Sequence, residues 1–354
     1  MFLAIIAIIV TLILVVGIHE GGHALVARIF QVKIKKISIG FGKPLLRWKN
    51  QNGCEWIWAL FPLGGYVQLE NTRISPIDPA EYSGCFDKKP IWQRILILLA
   101  GVAANLITAW IAFVVVYSIG LNYTLPEIQE VQANSTVAQS GISSGEHFVS
   151  IGGRATPTWG DVGMQLVILW GKKDIPVTLS NTNGQESTAT LDLSQVKFSG
   201  RKLSLLEQLG IKPNLSAPQK ILQAPSILAA IHQSNEAIGN MIYFFLMILK
   251  QLFSGVIPFS VLLGPLGIFA ASVASFMQGL TVFIFFIASL SLVVALINLF
   301  PIPGLDGGSI VYALVEKMRG KPVSVAMELL LHRLVFIVFC VVLMHLMMND
   351  LQRL

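Results

Sequence analysis

The chain has 354 residues, of which 54% are hydrophobic and only 12% charged. Soluble domains carry about 25% charged residues, so the composition excludes a purely soluble protein and implies several membrane spans with room for one modest soluble domain. The formal net charge of +6 does not argue for nucleic acid, because the basic residues cluster beside apolar segments as the positive-inside rule describes; no nucleic-acid partner is expected.

Four segments are long and apolar enough to cross a bilayer, roughly 2–28, 94–120, 276–300 and 327–348, given that a span needs about 20 residues. The first carries no charge from Met1 to Ile18 and then reads His19-Glu20-Gly21-Gly22-His23. Two imidazoles at i and i+4 share one helix face, and a carboxylate sits beside the first. This is the H-E-x-x-H arrangement of zinc metallopeptidases, with two neutral ligands and a Glu that moves protons. The run lacks a basic n-region and a clear small-x-small cleavage site, so it reads as a retained span. At 1.5 Å per residue, His19 lies about 25 Å along a helix entering lipid near residue 2. That depth is just short of the far edge of a hydrocarbon core about 30 Å thick, with Arg28 at the surface. HEGGH could be a chance run opening a loop, but ionisable groups inside spans are rare and usually functional.

Residues 29–93 are rich in Lys and Arg, and a second basic cluster, Lys317, Arg319 and Lys321, follows the third span. Both loops read as cytoplasmic, which puts the two termini and the segment 121–235 outside. Within 32–70 the apolar residues alternate as in strands and lead into Pro62-Leu63-Gly64-Gly65-Tyr66-Val67. Glycines at 64 and 65 suit a tight bend or a close backbone approach. The bland reading is a small hairpin; the sharper one is a sheet at the membrane surface whose edge takes up an extended peptide.

Residues 121–215 form the soluble domain, with short strands at 177–179 and 189–193 and helical spacing over 160–170. Residues 216–275 are expected to be a linker with a short interfacial helix over Ile238–Leu249, bounded by Glu236 and Lys250. A fifth span there is the less favoured alternative. Cys54, Cys85 and Cys340 are widely separated, which suits neither a disulfide framework nor a thiolate metal site.

A catalytic zinc usually has three protein ligands plus water. The third candidate lies in Asn298-Leu299-Phe300-Pro301-Ile302-Pro303-Gly304-Leu305-Asp306-Gly307-Gly308, where two prolines interrupt the third span near its end. Irregular backbone at membrane depth is tolerated where it is buried in protein or lines a watery cavity. Asp306 alone would read as a helix cap; beside an HEGGH partner it reads as the third ligand. Zinc there would supply a water that ionises near neutrality. Glu20 would take the water's proton and deliver it to the leaving amine. Asn298 is a buried amide that holds substrate backbone or the oxyanion, or else bridges helices.

With these residues in hand, the chain resembles the site-2 protease family of intramembrane zinc metalloproteases, of the bacterial regulator-of-sigma-E type. The resemblance rests on HEGGH, the Gly64-Gly65-Tyr66-Val67 element, Phe86-Asp87-Lys88-Lys89-Pro90, and Ala100-Gly101-Val102-Ala103-Ala104-Asn105. Gly264-Pro265-Leu266-Gly267-Ile268 and the N-x-x-P-x-P-x-L-D-G element at 298–307 complete it. It implies a polytopic α-helical membrane protein with about four transmembrane helices, a membrane-associated β region, and an extracytoplasmic PDZ-like α+β domain. The expected organisation is a first catalytic membrane half (1–120), the PDZ-like domain (121–215), a linker (216–275) and a second catalytic half (276–354). One zinc ion, held by His19, His23 and Asp306 with Glu20 as base, is implied, and Asn105, Asn298, Gly64, Gly65 and Tyr66 become substrate-side candidates. Expected partners are membrane lipid, single-span substrates such as pre-trimmed anti-sigma factors, remnant signal peptides, and peptide ends at the PDZ-like domain. The expected location is the bacterial inner membrane, with the active site near the cytoplasmic side.

The PDZ resemblance lies in Ala138-Gln139-Ser140-Gly141-Ile142-Ser143-Ser144-Gly145-Glu146. Two departures stand out: the length allows one such domain where the family type has two, and Val102 replaces the Pro of the family's A-G-P-x-x-N element. A non-catalytic PDZ scaffold is the competing reading, and the intact His19, Glu20, His23 and Asp306 argue against it. A transporter would need a second proline-broken span, and none is present in the sequence.

Overall fold

A computed structural model describes residues 2–50, 53–181, 183–196 and 204–353. The chain divides into two compact units, residues 1–115 with 267–345, and 116–266 with 346–354. Among the described residues, five helices are long and apolar enough to cross a membrane: Phe2–Ile29, Ile91–Ile119, Ile227–Phe253, Leu280–Asn298 and Val325–Gln352.

The first unit opens with α1 (Phe2–Leu12), a wide π turn at Ile13–Gly17, and α2 (Ile18–Ile29), continuous as one helix. The absence of charge before His19 makes this run compatible with lipid over most of its length. Strands β1 (Ile34–Lys49) and β2 (Glu55–Leu69) then fold back on one another. Residues 34–39 of β1 pair with 65–69 of β2 on one side and with 55–58 on the other, while 44–49 pair with 55–59. The 65–69 stretch therefore forms one edge of a small sheet, as the alternating pattern over 32–70 anticipates. Ala24, Ile37 and Cys54 pack together, which seats the sheet on α2. Helix α3 (Ile91–Ile119) follows, unbroken through Val102.

The second unit contains β3 (Leu121–Thr124), β4 (Ile128–Val131), α4 (Thr136–Gln139), β5 (His147–Ile151), β6 (Arg154–Ala155) and α5 (Trp159–Ile168). It continues with β7 (Ile175–Ser180), β8 (Glu186–Leu191), α6 (Leu205–Gln208), β9 (Ile211–Pro213), β10 (Gln219–Leu222) and α7 (Ile227–Phe253). A four-stranded antiparallel sheet in the order β6-β5-β7-β8 and the pair β4-β9 enclose an apolar core. Ile128, Phe148, Ile151, Leu166, Leu179 and Ile211 are among its buried side chains. Helix α5 starts with a reciprocal capping box between Thr158 and Asp161, which satisfies donors that the helix cannot satisfy itself.

The expected linker with a short helix at 238–249 is corrected. Residues 219–222 pair with β3, and the helix runs for 27 residues. Glu236 does not end it, because an exposed charge on a helix flank costs little; it pairs with His232 one turn earlier. The C-terminal part of α7 packs through Phe244, Ile248 and Leu252 with Val167 and Ile257. The buried Gln251 donates from Nε2 to the Ile168 carbonyl at 2.7 Å.

The first unit resumes along α8 (Pro265–Gln278), with α9 (Leu280–Asn298), α10 (Asp306–Arg319) and the start of α11 (Val325–Arg353). Val15, Phe283 and Ile287 join α9 to the first helix, and the Thr11 and Ser272 hydroxyls share a buried hydrogen bond of 2.8 Å.

Candidate metal centre

The i, i+4 spacing puts His19 and His23 on one face of α2, just after the π turn, a local widening that recurs at functional sites. His19, Glu20 and His23 are buried, at 6%, 6% and 8% exposure. The two Nε2 atoms stand 3.2 Å apart. Asp306 Oδ2 lies 3.2 Å from His19 Nε2 and 3.3 Å from His23 Nε2.

Asp306 reaches this point because α9 ends at Asn298 and the chain turns through Pro301 and Pro303 before α10 begins. The next two residues must lie against that turn. A Cβ on Gly307 would fall 2.3 Å from the Leu299 carbonyl oxygen, and one on Gly308 would fall 2.1 Å from that of Ile302. Leu305 is the N-cap of α10 and makes no side-chain cap bond. The Asp306 carboxylate faces the two imidazoles.

The donor set fits a divalent cation. His23 Nδ1 is 2.8 Å from the Ile97 carbonyl oxygen; a carbonyl only accepts, so Nδ1 carries the proton and Nε2 keeps its lone pair. The Asn105 amide lies 3.5 Å from His19 Nδ1, and its Oδ1 is buried without a partner. Amide oxygen and nitrogen are interchangeable in shape. With Oδ1 turned to the ring, it accepts from Nδ1–H and leaves His19 Nε2 bare as well. Asp306 Oδ2 is itself buried without a hydrogen-bond partner. In that tautomer and amide orientation, both imidazoles turn an Nε2 lone pair toward Asp306 Oδ2. Ligand atoms about 2.0–2.1 Å from a tetrahedral zinc are about 3.3 Å apart, the spacing of this triangle.

Glu20 sits against the sheet edge. Its carboxylate accepts a hydrogen bond from the Val67 backbone, and a Cβ on Gly65 would come 2.9 Å from Glu20 Cγ and 2.7 Å from the Ser38 carbonyl oxygen. Gly65 is therefore the glycine of this element that touches the centre. Gly64 and Tyr66 instead meet Phe41: a Cβ on Gly64 would lie 2.8 Å from its ring, and the Tyr66 ring stacks on it at 6.2 Å. Asn298 closes α9 and donates from Nδ2 to the Val294 carbonyl at 3.0 Å.

Sequence reasoning misses two contributors on α3. One is the Ile97 carbonyl, which no side-chain motif can signal. The other is Gly101, where a Cβ would stand 2.3 Å from His23 Nε2. The small-residue run Ala100-Gly101-Val102-Ala103-Ala104 is its only trace.

An H-E-x-x-H pair buried in one apolar helix, met by a carboxylate at the end of another, defines a membrane-embedded metallohydrolase. The chain belongs to peptidase family M50, whose sequence model it matches over residues 7–343. It is 27% identical to "Regulator of sigma E protease" of Haemophilus influenzae, over 92% of this chain and 93% of that protein. It is 27% identical to "Protease RseP" of Yersinia pestis, over 98% of each, and 27% identical to a "Putative zinc metalloprotease" of Xylella fastidiosa, over 89% and 91%. The protein is a zinc metalloprotease of the site-2 type, a polytopic membrane enzyme that carries out regulated intramembrane proteolysis. The comparison with the Yersinia protein runs over 442 positions although this chain has 354 residues. That relative therefore carries extra sequence amounting to a small domain.

Proposed function

We propose that His19, His23 and Asp306 hold the zinc, that Glu20 is the proton carrier, and that the substrates are transmembrane segments of single-span proteins cut near the cytoplasmic edge of the inner membrane. The observation that carries this reading is the triangle of His19 Nε2, His23 Nε2 and Asp306 Oδ2 at 3.2–3.3 Å, contributed by α2 and the first residue of α10. When bound there, zinc supplies Lewis acidity and a water that ionises near neutral pH. Glu20 accepts that proton and returns it to the leaving amine. The Ile97 carbonyl and Asn105 hold the two imidazoles in the tautomer that frees Nε2.

A helical substrate hides its carbonyls in its own hydrogen bonds, so it must be drawn out before it is cut. The 65–69 edge, with Gly65 against Glu20, is suited to accept an extended segment by strand pairing. Asn298 retains an acceptor oxygen and a second amide hydrogen for substrate backbone. The relatives named for sigma E fit membrane-bound anti-sigma factors as one substrate class, and the family resemblance adds remnant signal peptides as a second.

Residues 121–215 act as a single extracytoplasmic PDZ-like module that screens substrates or their trimmed ends. The surplus length of the Yersinia relative accords with a single module here, where the family resemblance implies two. Four spans cross the membrane. Helix α7 is left out of them, since its window has the lowest mean hydropathy of the five, 1.3. Four spans also leave both basic loops on the cytoplasmic side.

The test is cleavage of tagged single-span proteins in vesicles, with metal analysis in parallel. Glu20→Gln should keep its zinc and lose activity by about 10²–10⁴-fold. Asp306→Asn should lose both. Full activity in Glu20→Gln would refute the assignment of the base.

A further inference from the structure

One face of α3 addresses the metal centre along its first half. Ile97, Gly101 and Asn105 recur at i, i+4 and i+8, and each contacts an imidazole: a carbonyl for His23, room for the His23 ring, an amide for His19. One turn before Ile97 the same face carries Arg94, a cation only 7% exposed. Its guanidinium lies over the Phe86 ring at 5.4 Å, and Nη1 donates to Glu316 Oε2 at 2.9 Å. Glu316 belongs to α10, the helix that begins with Asp306. Asp306, Ala313 and Glu316 fall on one side of α10 by helical spacing, and Ala313 is 1% exposed.

We infer that the Arg94–Glu316 pair is a positioning clamp for the third metal ligand. It fastens α10 to the same α3 surface that orients both histidines, so one helix sets all three ligands. Neither residue touches the reacting atoms. Two features point to positioning over simple stabilisation. A buried ion pair contributes little net stability, since desolvation offsets its attraction. The pair also joins the Asp306-bearing helix to the imidazole-bearing frame with a fixed, directional bond. Arg73 strengthens the case: it donates to Glu328 Oε1 at 2.9 Å and to the Val323 carbonyl, so the connection after α10 is tied down as well. The inference rests on Asp306 being a zinc ligand.

The experiment uses the purified full chain in detergent, with zinc affinity and the visible absorption of the cobalt-substituted protein as readouts. Arg94→Met and Glu316→Gln should each weaken zinc binding by about 10–100-fold, as outer-shell substitutions do, and lower the intensity of the tetrahedral cobalt bands. The exchanged pair Arg94→Glu with Glu316→Arg should recover both readouts. Because removing one partner strands a buried charge and could prevent folding, the exchanged pair decides the matter alone if the single variants do not fold. Folded single variants with unchanged zinc affinity and cobalt spectrum, or a folded exchanged pair without recovery, would overturn the clamp. Asp306→Asn separates the two readings. Zinc retained there defeats the ligand assignment, whereas zinc lost there but kept in folded Arg94→Met and Glu316→Gln defeats the clamp only.

Discussion

The two units use their buried polar atoms differently. In the second, the main core around Phe148, Ile151, Leu166 and Leu179 is a cluster of apolar side chains, and buried polar groups bond to backbone, as Gln251 does to Ile168, or cap helices, as the Thr158–Asp161 box does. In the first, His19, Glu20, His23 and Asn105 are buried between apolar helices, and each is held by a specific neighbour. The difference follows from the solvent. A water-facing domain gains by burying hydrocarbon. Helices in lipid gain nothing from that exchange and associate through close packing and polar contacts, so their interior can be given over to chemistry.

If this contrast is sound, damage to one interior should leave the other's property intact. Phe148→Ala should cost the second unit about 3–5 kcal/mol, read as lost hydrogen-exchange protection in β5 and α5, with zinc content unchanged. Loss of zinc in that variant would break the separation. Gly101→Ala should do the reverse: a methyl group placed 2.3 Å from His23 Nε2 should weaken zinc by about 10–100-fold, measured by competition with a chelator, while protection in β5 and α5 persists. Thr158→Ala removes one capping bond from α5 and should cost about 1 kcal/mol, seen as a lower midpoint in denaturant with no effect on metal.

The smallest expected effect is on acid stability. Burial pushes the Asp87 carboxyl up, but the Thr72 amide and hydroxyl both donate to it and hold it below the ordinary carboxylate range. A depressed folded value means that its stabilisation is complete above the unfolded value of about 3.9 and is lost as the pH falls through the folded one. Asp87→Asn should therefore remove the small stabilisation present above about pH 4, flatten the acid limb below it, and leave variant and parent equally stable at low pH. An unaltered acid limb would show that the Thr72 contacts carry no linkage.

Much of the centre can be read from the sequence because its chemistry sits in short patterns. His19, Glu20 and His23 occur within little more than one helical turn, and Asp306 sits in a proline-broken span where an acid is conspicuous. What cannot be read depends on distant packing. Gly101 matters only because the His23 ring fills its missing Cβ, and Arg94 and Glu316 are 222 positions apart. The length of α7 is hidden because Glu236 and the neighbouring polar residues look like an end. On a helix whose one flank is covered by Val167 and Ile257, they mark only the uncovered side. The strands over 32–70 are legible from alternation, but their doubled pairing is not, since alternation is the same whether a strand has one neighbour or two.

The π turn at Ile13–Gly17 has a consequence for how the first span tolerates change. A helix is a counter: each residue advances its angular phase by a set amount, and the wide turn adds one residue to the count without adding a full step of rotation. The face that bonds Ser272 through Thr11 and the face that presents His19 and His23 are thus phased by the turn between them. Deleting one residue there would restore a regular helix and largely keep the phase between the two faces, whereas deleting one between the turn and His19 would swing the ligands by about 100° away from Asp306. Length variation outside the turn should be far less permissible than substitution.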